Sequence, residues 1–219
     1  DAGLRSYMLG VYNHMMVAML MTGLVAFGVS LNQDIMLTLW TTPLKWVILL
    51  APLGLVFFLS ARISAMSAST AQITFWIYSC LVGLSISYIF VAYQLPSITR
   101  VFFITAAAFG GLSLYGYTTK RDLSGLGSFL MMGLIGIIIA AIVNIFLASS
   151  MLHFVISVVG VLVFAGLTAY DTQQIKEMYS AADNGEVATK KSILGALRLY
   201  LDFLNLFLML LYLFGGSRE

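Results

Sequence analysis

Residues 193–214 read ILGALRLYLDFLNLFLMLLYLF, an apolar stretch of 22 residues with one acidic side chain, Asp202, near its centre. A helix of about 20 apolar residues is long enough to span the hydrocarbon core of a bilayer. A carboxylate at that depth costs roughly 2.5–3.5 kcal/mol on insertion scales, so an intramembrane Asp indicates a functional group with a partner. The stretch therefore predicts a transmembrane helix that carries a functional carboxylate.

The predicted partner of Asp202 is Asp171, which lies in the preceding span, where residues 158–179 read VVGVLVFAGLTAYDTQQIKEMY and the apolar part ends at about residue 175. Of the nine acidic residues in the chain, only these two fall inside apolar stretches. The other seven lie in connections, at span ends or at the termini. We therefore predict that the last two spans meet through a pair of carboxylates.

The composition is that of a helical integral membrane protein. The chain has 219 residues, of which 61% are hydrophobic and only 9% charged, whereas about a quarter of a soluble domain is charged. Apolar stretches near 20 residues, rather than alternating stretches of about ten, favour helices over a β-barrel. No run of basic residues suggests a nucleic-acid partner, and the single cysteine, Cys80, excludes an internal disulfide.

We predict an all-α integral membrane protein, a single domain over residues 1–219, with seven transmembrane helices. The predicted spans are about residues 12–31, 44–61, 71–93, 98–117, 129–147, 152–175 and 193–214. The connections, such as NQDIMLTLWTTP and TKRDLSGLG, are short, so consecutive spans should be antiparallel neighbours. Small residues in the fourth and fifth spans predict close helix contacts. They include Gly110, Gly111, Gly133 and Gly136.

Basic residues set the predicted orientation. With the N-terminus inside, the inner segments hold seven cations: Arg5, Arg62, Lys120, Arg121, Lys176, Lys190 and Lys191. The outer segments hold three: Lys45, Arg100 and Arg218. By the positive-inside rule, we expect the N-terminus in the cytoplasm and the C-terminus outside.

Polar side chains share the helix faces of the two aspartates. Helical spacing places the following residues on or beside those faces: Thr168 and Thr172 near Asp171, and Arg198, Asn205 and Met209 near Asp202. Folding the last two spans as a hairpin about residues 184–185 brings the aspartates within about one turn of the same depth. The two polar stripes are therefore predicted to face each other in the inner half of the membrane.

Two carboxylates in contact cannot easily both be charged. At about 4 Å and an effective dielectric constant of about 20, their repulsion is roughly 4 kcal/mol. We predict that the pair holds one shared proton near neutral pH, with Arg62 and Arg198 as candidate counter-ions. The alternative is two static salt bridges, Arg198–Asp202 and Arg62–Asp171, because buried ions have to be paired in any case.

Four stretches of the chain resemble the Bax inhibitor-1 family in its bacterial branch: GLTAYDTQQIK, GALRLYLDFLNLFLMLL, GLSISYIF and LYGYTTKRDLSGLG. The resemblance covers essentially the whole chain, and its most specific motifs are residues 171–173 and 199–203. It implies a seven-helix fold in which the other six helices surround the last one. It also implies a pH-sensitive calcium leak, with Asp171 and Asp202 as the sensor and Arg62 as the latch.

The resemblance implies that calcium is the transported ion. Because calcium prefers several oxygen ligands, we expect Asp171 and Asp202 to be its transient ligands, with Thr168, Thr172 and Asn205 along its path. No resident cofactor is expected. The expected location is the bacterial inner membrane, and the expected partners are bilayer lipid, calcium ions and protons.

Three other functions are alternatives to a calcium leak. Some bacterial relatives are associated with a membrane-bound AAA protease, so a regulatory binding protein is the main alternative. Intramembrane aspartyl proteases also place one Asp in each of two adjacent spans, but the Gly-x-Gly that precedes their second Asp is replaced here by Leu199-Tyr200-Leu201. We therefore expect no enzymatic activity. A proton-coupled transporter is the third alternative, since buried carboxylates also serve as proton relays.

Overall fold

Helices form almost the whole structure. The computed structural model describes residues 1–218, is 87% helical and has no β-strand in that range. Its α-helices are α1 (Ala2–Ser30), α2 (Gln33–Thr41), α3 (Leu44–Arg62), α4 (Ala68–Ile86), α5 (Ile89–Ala92), α6 (Leu95–Thr118), α7 (Ser124–Leu147), α8 (Ser150–Glu177) and α9 (Gly185–Phe214). A 3₁₀ turn, Ile63–Ala65, follows α3 directly.

Seven helical segments of the described chain are long and apolar enough to cross a membrane. They are α1, Leu44–Ala65 (α3 with its 3₁₀ turn), Ala68–Ala92 (α4 and α5), α6, α7, α8 and α9. The prediction of an all-α protein with seven transmembrane helices is therefore confirmed. In the most apolar segment of α9, 61% is buried inside the protein, whereas in the corresponding segment of α7 only 11% is buried. That the other six helices surround α9 stays a prediction.

Several helices begin earlier than hydropathy predicts, because side chains outside the apolar stretches cap them. α1 begins ten residues before the predicted span and α9 eight residues before it, and the connection at residues 32–43 contains α2. The backbone N–H groups of the first helical turn have no partner within the helix, and each capping side chain accepts a hydrogen bond from one of them. The caps are Asp1 to Gly3 N at 2.8 Å, Asn32 to Ile35 N at 3.0 Å and Asn184 to Val187 N at 2.9 Å. The connection between α8 and α9 is therefore residues 178–184, ahead of the predicted turn.

Contacts between residues divide the chain into two compact units. The first unit comprises residues 1–94, 178–200 and those from 217 onward, and the second comprises residues 95–177 and 201–216. Each unit combines sequence segments that are far apart in the chain. The single domain expected from the sequence stays a prediction.

In the first unit, α1 packs closely on α4. Gly83 of α4 lies against the backbone carbonyl of Thr22, where a larger residue would overlap it. The Thr22 hydroxyl donates to the Ser79 carbonyl at 2.8 Å, so the hydroxyl of Tyr200 is the donor in its 2.5 Å bond with Thr22. These fully buried polar groups are thus bonded to one another, which ties α1, α4 and α9 together within this unit.

In the second unit, α8 packs against α6 and α7 through small residues. Gly116 of α6 lies against the carbonyl of Ala169, and Gly127 of α7 lies against the ring of Tyr170. A Cβ atom at either glycine would overlap its neighbour. Apolar residues of α7, α8 and α9 form the core of this unit: Leu130, Ile137, Ile156, Val163, Phe164, Leu167 and Leu206.

The glycines that pack the helices differ from those predicted. Gly110, Gly111 and Gly136 have open space where a Cβ would be, and Gly133 approaches Val163 at 3.0 Å. The prediction of close contacts is wrong for the first three. A cluster of small residues does not show which side of its helix faces a neighbour. Gly116 lies only five residues after Gly111, yet this places it well over 100° further around α6.

We expect Gly116→Ala to lower the free energy of unfolding by about 1–3 kcal/mol, because the added methyl group would overlap a backbone carbonyl that cannot rotate away. Thermal unfolding in detergent measures this change. Gly110→Ala on the same helix is the matched control, since its methyl group meets nothing within 4 Å, and its melting temperature should not fall. Equal melting temperatures for the two variants would contradict the packing role of Gly116.

Candidate functional site

Two carboxylates of the second unit form the centre of the candidate site. Asp202 lies beyond the midpoint of α9, and only 4% of its surface is exposed. Asp171 lies near the C-terminal end of α8 and is half-buried. Both residues therefore lie on helices that can span a membrane, and both belong to the same compact unit.

Two contacts define the relative direction and register of α8 and α9 in this unit. The rings of His153 and Tyr212 pack edge to face with a centroid distance of 3.8 Å. Further along, the side chain of Met209 fills the space over Gly160. Because residue numbers rise along α8 as they fall along α9, the two helices are antiparallel.

This register places both aspartates on the faces through which α8 and α9 touch. Asp171 follows Gly160 by eleven residues, about three helical turns, and Asp202 precedes Met209 by seven residues, about two turns. Each aspartate thus lies on the same face of its helix as the residue that makes the Gly160–Met209 contact. Asp171 is about 16 Å from Gly160 toward the C-terminus of α8, and Asp202 is about 10 Å from Met209 toward the N-terminus of α9. Since these displacements point the same way in antiparallel helices, the two Cα levels differ by about 6 Å.

The direction of the side chains reduces this difference in level. In an α-helix every Cα–Cβ bond tilts toward the N-terminus of the helix. In the antiparallel pair α8 and α9, Asp171 therefore tilts toward the level of Asp202, and Asp202 tilts toward the level of Asp171.

A chain of buried hydroxyl groups runs beside Asp171. Thr168 and Thr172 are fully buried, and Ser113 of α6 is 2% exposed. Thr172 Oγ1 donates to the Thr168 carbonyl at 2.7 Å, so Ser113 Oγ is the donor in its 2.9 Å bond with Thr172. Thr168 Oγ1 in turn donates to the Phe164 carbonyl at 2.8 Å. Both threonine protons are used within α8, which leaves their oxygen atoms as acceptors.

The residues after Asp171 hold the connection between α6 and α7. The amide of Gln173 accepts from Leu123 N at 2.9 Å and donates to the Arg121 carbonyl at 2.7 Å. One turn after Thr172, Lys176 Nζ donates to the Tyr117 carbonyl at 2.8 Å. Gln173 and Lys176 of the polar run in this span therefore bind backbone atoms at and near this connection.

The same connection carries an exposed acid at the start of α7. Asp122 Oδ1 accepts from the Ser124 hydroxyl at 2.7 Å and from the Ser124 backbone N–H at 3.0 Å. These two hydrogen bonds hold the pKa of the Asp122 carboxyl below its ordinary value. The charged form of Asp122 is therefore favoured in the folded protein.

The other predicted site residues differ in their exposure. Asn205, half-buried on α9, donates from Nδ2 to the Leu201 carbonyl at 2.8 Å, which leaves its Oδ1 as an acceptor. Arg198, one turn before Asp202, is exposed. Arg62 is the last residue of α3 and is also exposed. The pairing of either arginine with an aspartate stays a prediction. Among residues 1–218, no three His, Cys, Asp or Glu side chains cluster as a metal site.

Sequence reasoning missed Ser113 and Gln173. Equal spacing on the two helices is the sequence signal for the contact between Ser113 and Thr172. Ser113 and Tyr117 are four residues apart on α6, and their partners Thr172 and Lys176 are four residues apart on α8. The role of Gln173 has no comparable signal, since its partners are backbone atoms of a connection.

Comparison with known proteins identifies relatives over the whole chain. The family described as "Inhibitor of apoptosis-promoting Bax1" matches residues 4–219. The chain is 49% identical to protein RP147 of Rickettsia prowazekii over 219 residues, which covers 100% of this chain and 93% of that protein. It is 48% identical to the inner membrane protein YbhL of Escherichia coli K12 over 220 residues, which covers 99% of this chain and 94% of YbhL. A protein of Borreliella burgdorferi is 42% identical over 217 residues, which covers 98% of this chain and 94% of that protein.

We expect the Ser113–Thr172 hydrogen bond to give a coupling free energy of about 0.6 kcal/mol, because interhelical hydrogen bonds in membranes contribute about this much. A double-mutant cycle of Ser113→Ala and Thr172→Val, followed by thermal unfolding, measures it. Thr105→Val is the matched control, since the equally buried Thr105 hydroxyl donates to the Val101 carbonyl of its own helix. Its combination with Ser113→Ala should be additive. Additivity in both cycles would rule out the interhelical bond.

Proposed function

This chain belongs to the Bax inhibitor-1 family of membrane proteins, and from that premise we propose that it is a pH-sensitive calcium leak gated by Asp171 and Asp202. We place it in the bacterial inner membrane, where the name of the relative YbhL places that protein, with its N-terminus in the cytoplasm. The proposal includes no catalytic residue and no resident cofactor.

The observation that carries the proposal is the burial of Asp202. Only 4% of this residue is exposed, in a helix that can span a membrane, on the face that contacts α8. A chain retains such a carboxylate against its cost of insertion when the carboxylate has a function. The register supports Asp171 as its partner. Asp171 lies on the side of α8 that faces α9, and along the helix axes the two Cα atoms are about 6 Å apart.

The proposed gate is a competition between a proton and a divalent cation. With one shared proton, the pair carries a single negative charge and the two carboxyl groups can stay together. When the proton leaves, repulsion of roughly 4 kcal/mol at about 4 Å separates them unless a cation lies between them. Calcium prefers several oxygen ligands, and the two carboxylates, Asn205 Oδ1 and the threonine oxygens offer such atoms.

The remaining residues complete the proposed cycle. Arg62 and Arg198 act as counter-ions that hold a carboxylate when the pair separates, with Arg62 as the latch. Thr168, Thr172 and Asn205 line the path of the ion. Beyond the gate, Leu206 and Leu211 are both 1% exposed, so the apolar second half of α9 serves as a plug that has to move before ions pass.

The test is calcium flux into liposomes that contain the purified protein, measured from mildly acidic to mildly alkaline pH. We expect the flux of the wild-type protein to rise with pH, by up to about tenfold per pH unit, because loss of one proton opens the gate. Asp171→Asn and Asp202→Asn remove this titration, so their flux should be nearly independent of pH.

Asp34→Asn is the matched control, since Asp34 is an exposed acid in the first turn of α2 and its substitution changes the net charge equally. Its pH profile should match that of the wild-type protein. Parallel measurements with potassium and magnesium report selectivity. The same calcium flux at every pH in the wild-type protein and in Asp171→Asn/Asp202→Asn would refute the proposed function.

A further inference from the structure

The connection between α3 and α4 is held by the first two turns of α9. Lys190 Nζ donates to the Ser64 carbonyl at 3.2 Å and to the Met66 carbonyl at 3.1 Å. Glu186 Oε1 accepts from the backbone N–H of Ala68 at 3.2 Å. All of these residues belong to the first unit. Two charged side chains of one helix thus bind the backbone at both ends of this connection.

The charge of each side chain suits the helix end that it binds. Ala68 is the first residue of α4, and a helix N-terminus has free N–H groups and a partial positive charge, which favours the carboxylate of Glu186. Ser64 lies in the 3₁₀ turn that continues α3, where free carbonyls and a partial negative charge favour the ammonium of Lys190. Spacing of four residues puts both side chains on one face of α9. The bonds are therefore specific for the sign of each charge.

These bonds link two parts of the proposed gate. Arg62, the proposed latch, is the last residue of α3 and directly precedes the turn that Lys190 binds. Asp202 follows Lys190 by twelve residues in the same uninterrupted helix, about 18 Å along its axis. Lys190 and Glu186 therefore connect the Arg62 end of α3 to the helix that carries Asp202.

We propose that Glu186 and Lys190 are positioning residues that fix the Arg62 end of α3 to α9, and so set the pH response of the leak. This inference rests on the proposed function. The neighbouring Lys191 has a different role, because its Nζ donates to the Met178 carbonyl at 2.9 Å and pairs with Asp183 at 2.6 Å in the connection that precedes α9.

The first measurement is amide hydrogen exchange of residues 62–70 in protein reconstituted in lipid nanodiscs, which does not depend on ion flux. We expect Lys190→Met to speed this exchange several-fold, because the α3–α4 connection loses both bonds to Nζ. Lys190→Arg should restore protection, since it keeps the charge and the donors. Lys191→Met is the matched control and should leave residues 62–70 unchanged.

The second measurement is calcium flux of the same variants against pH. We expect Lys190→Met to lower the flux several-fold at neutral pH and to flatten its pH profile, because Arg62 is no longer held where it can pair with a carboxylate of the separated pair. Lys190→Arg and Lys191→Met should follow the wild-type protein. Size-exclusion profiles and melting temperatures check that each variant is folded.

A charge exchange distinguishes helix-end binding from a simple ion pair on α9. In Glu186→Lys/Lys190→Glu the two charges remain but each meets the wrong helix end. We expect fast exchange of residues 62–70 and the altered flux of Lys190→Met. Wild-type behaviour of this double variant would overturn the inference.

The remaining outcomes separate the two proposals. Unchanged exchange in Lys190→Met would overturn the inference, whatever its flux. Faster exchange with wild-type flux would also overturn it, if Asp171→Asn and Asp202→Asn still alter the flux. Wild-type flux in the aspartate variants would instead refute the proposed function, and with it the effect of these residues on gating, while hydrogen exchange would still report whether they hold α3.

Discussion

The cost of keeping a carboxylate away from water shapes the part of this protein around Asp202. An ionised acid within a membrane-spanning helix is stable only when protein groups replace water around it or when it binds a proton. In the second unit, Asp202 is 4% exposed, and helical spacing from the Gly160–Met209 contact puts it on the side of α9 that meets α8. The same face of α8 carries Asp171. Burial and the position of the second acid therefore follow from a single helix contact.

Close approach of helix backbones makes this contact possible. Without a hydrophobic effect between helices in lipid, packing depends on small residues that let neighbouring backbones or side chains fit closely. Gly116, Gly127 and Gly160 have this role around α8, where each lies against a carbonyl, a ring or the Met209 side chain. These three contacts fix the rotation of α8 against its neighbours. That rotation determines which face Asp171 and the buried threonines occupy.

Three lysines near the ends of the spans bind backbone groups. By the positive-inside rule, Lys176, Lys190 and Lys191 are among the cations that predict the orientation in the membrane. In the structure each of them also donates to backbone carbonyls, those of Tyr117, of Ser64 and Met66, and of Met178. Helix ends leave such carbonyls free, so a nearby ammonium group both satisfies a hydrogen bond and neutralises a partial charge. The connections between spans are thereby held by the long helices α8 and α9.

Length, hydropathy and charge along the chain are enough to predict seven membrane-spanning helices and the two acids inside them, because lipid imposes these properties on each segment separately. The sequence also indicates the family, whose match extends over residues 4–219. Only the folded chain shows which glycines make contacts, that Ser113 bonds to Thr172, and that Gln173 and Lys190 bind backbone atoms of distant connections. These features depend on the rotation and register of one helix against another, which are set by packing between segments far apart in the chain.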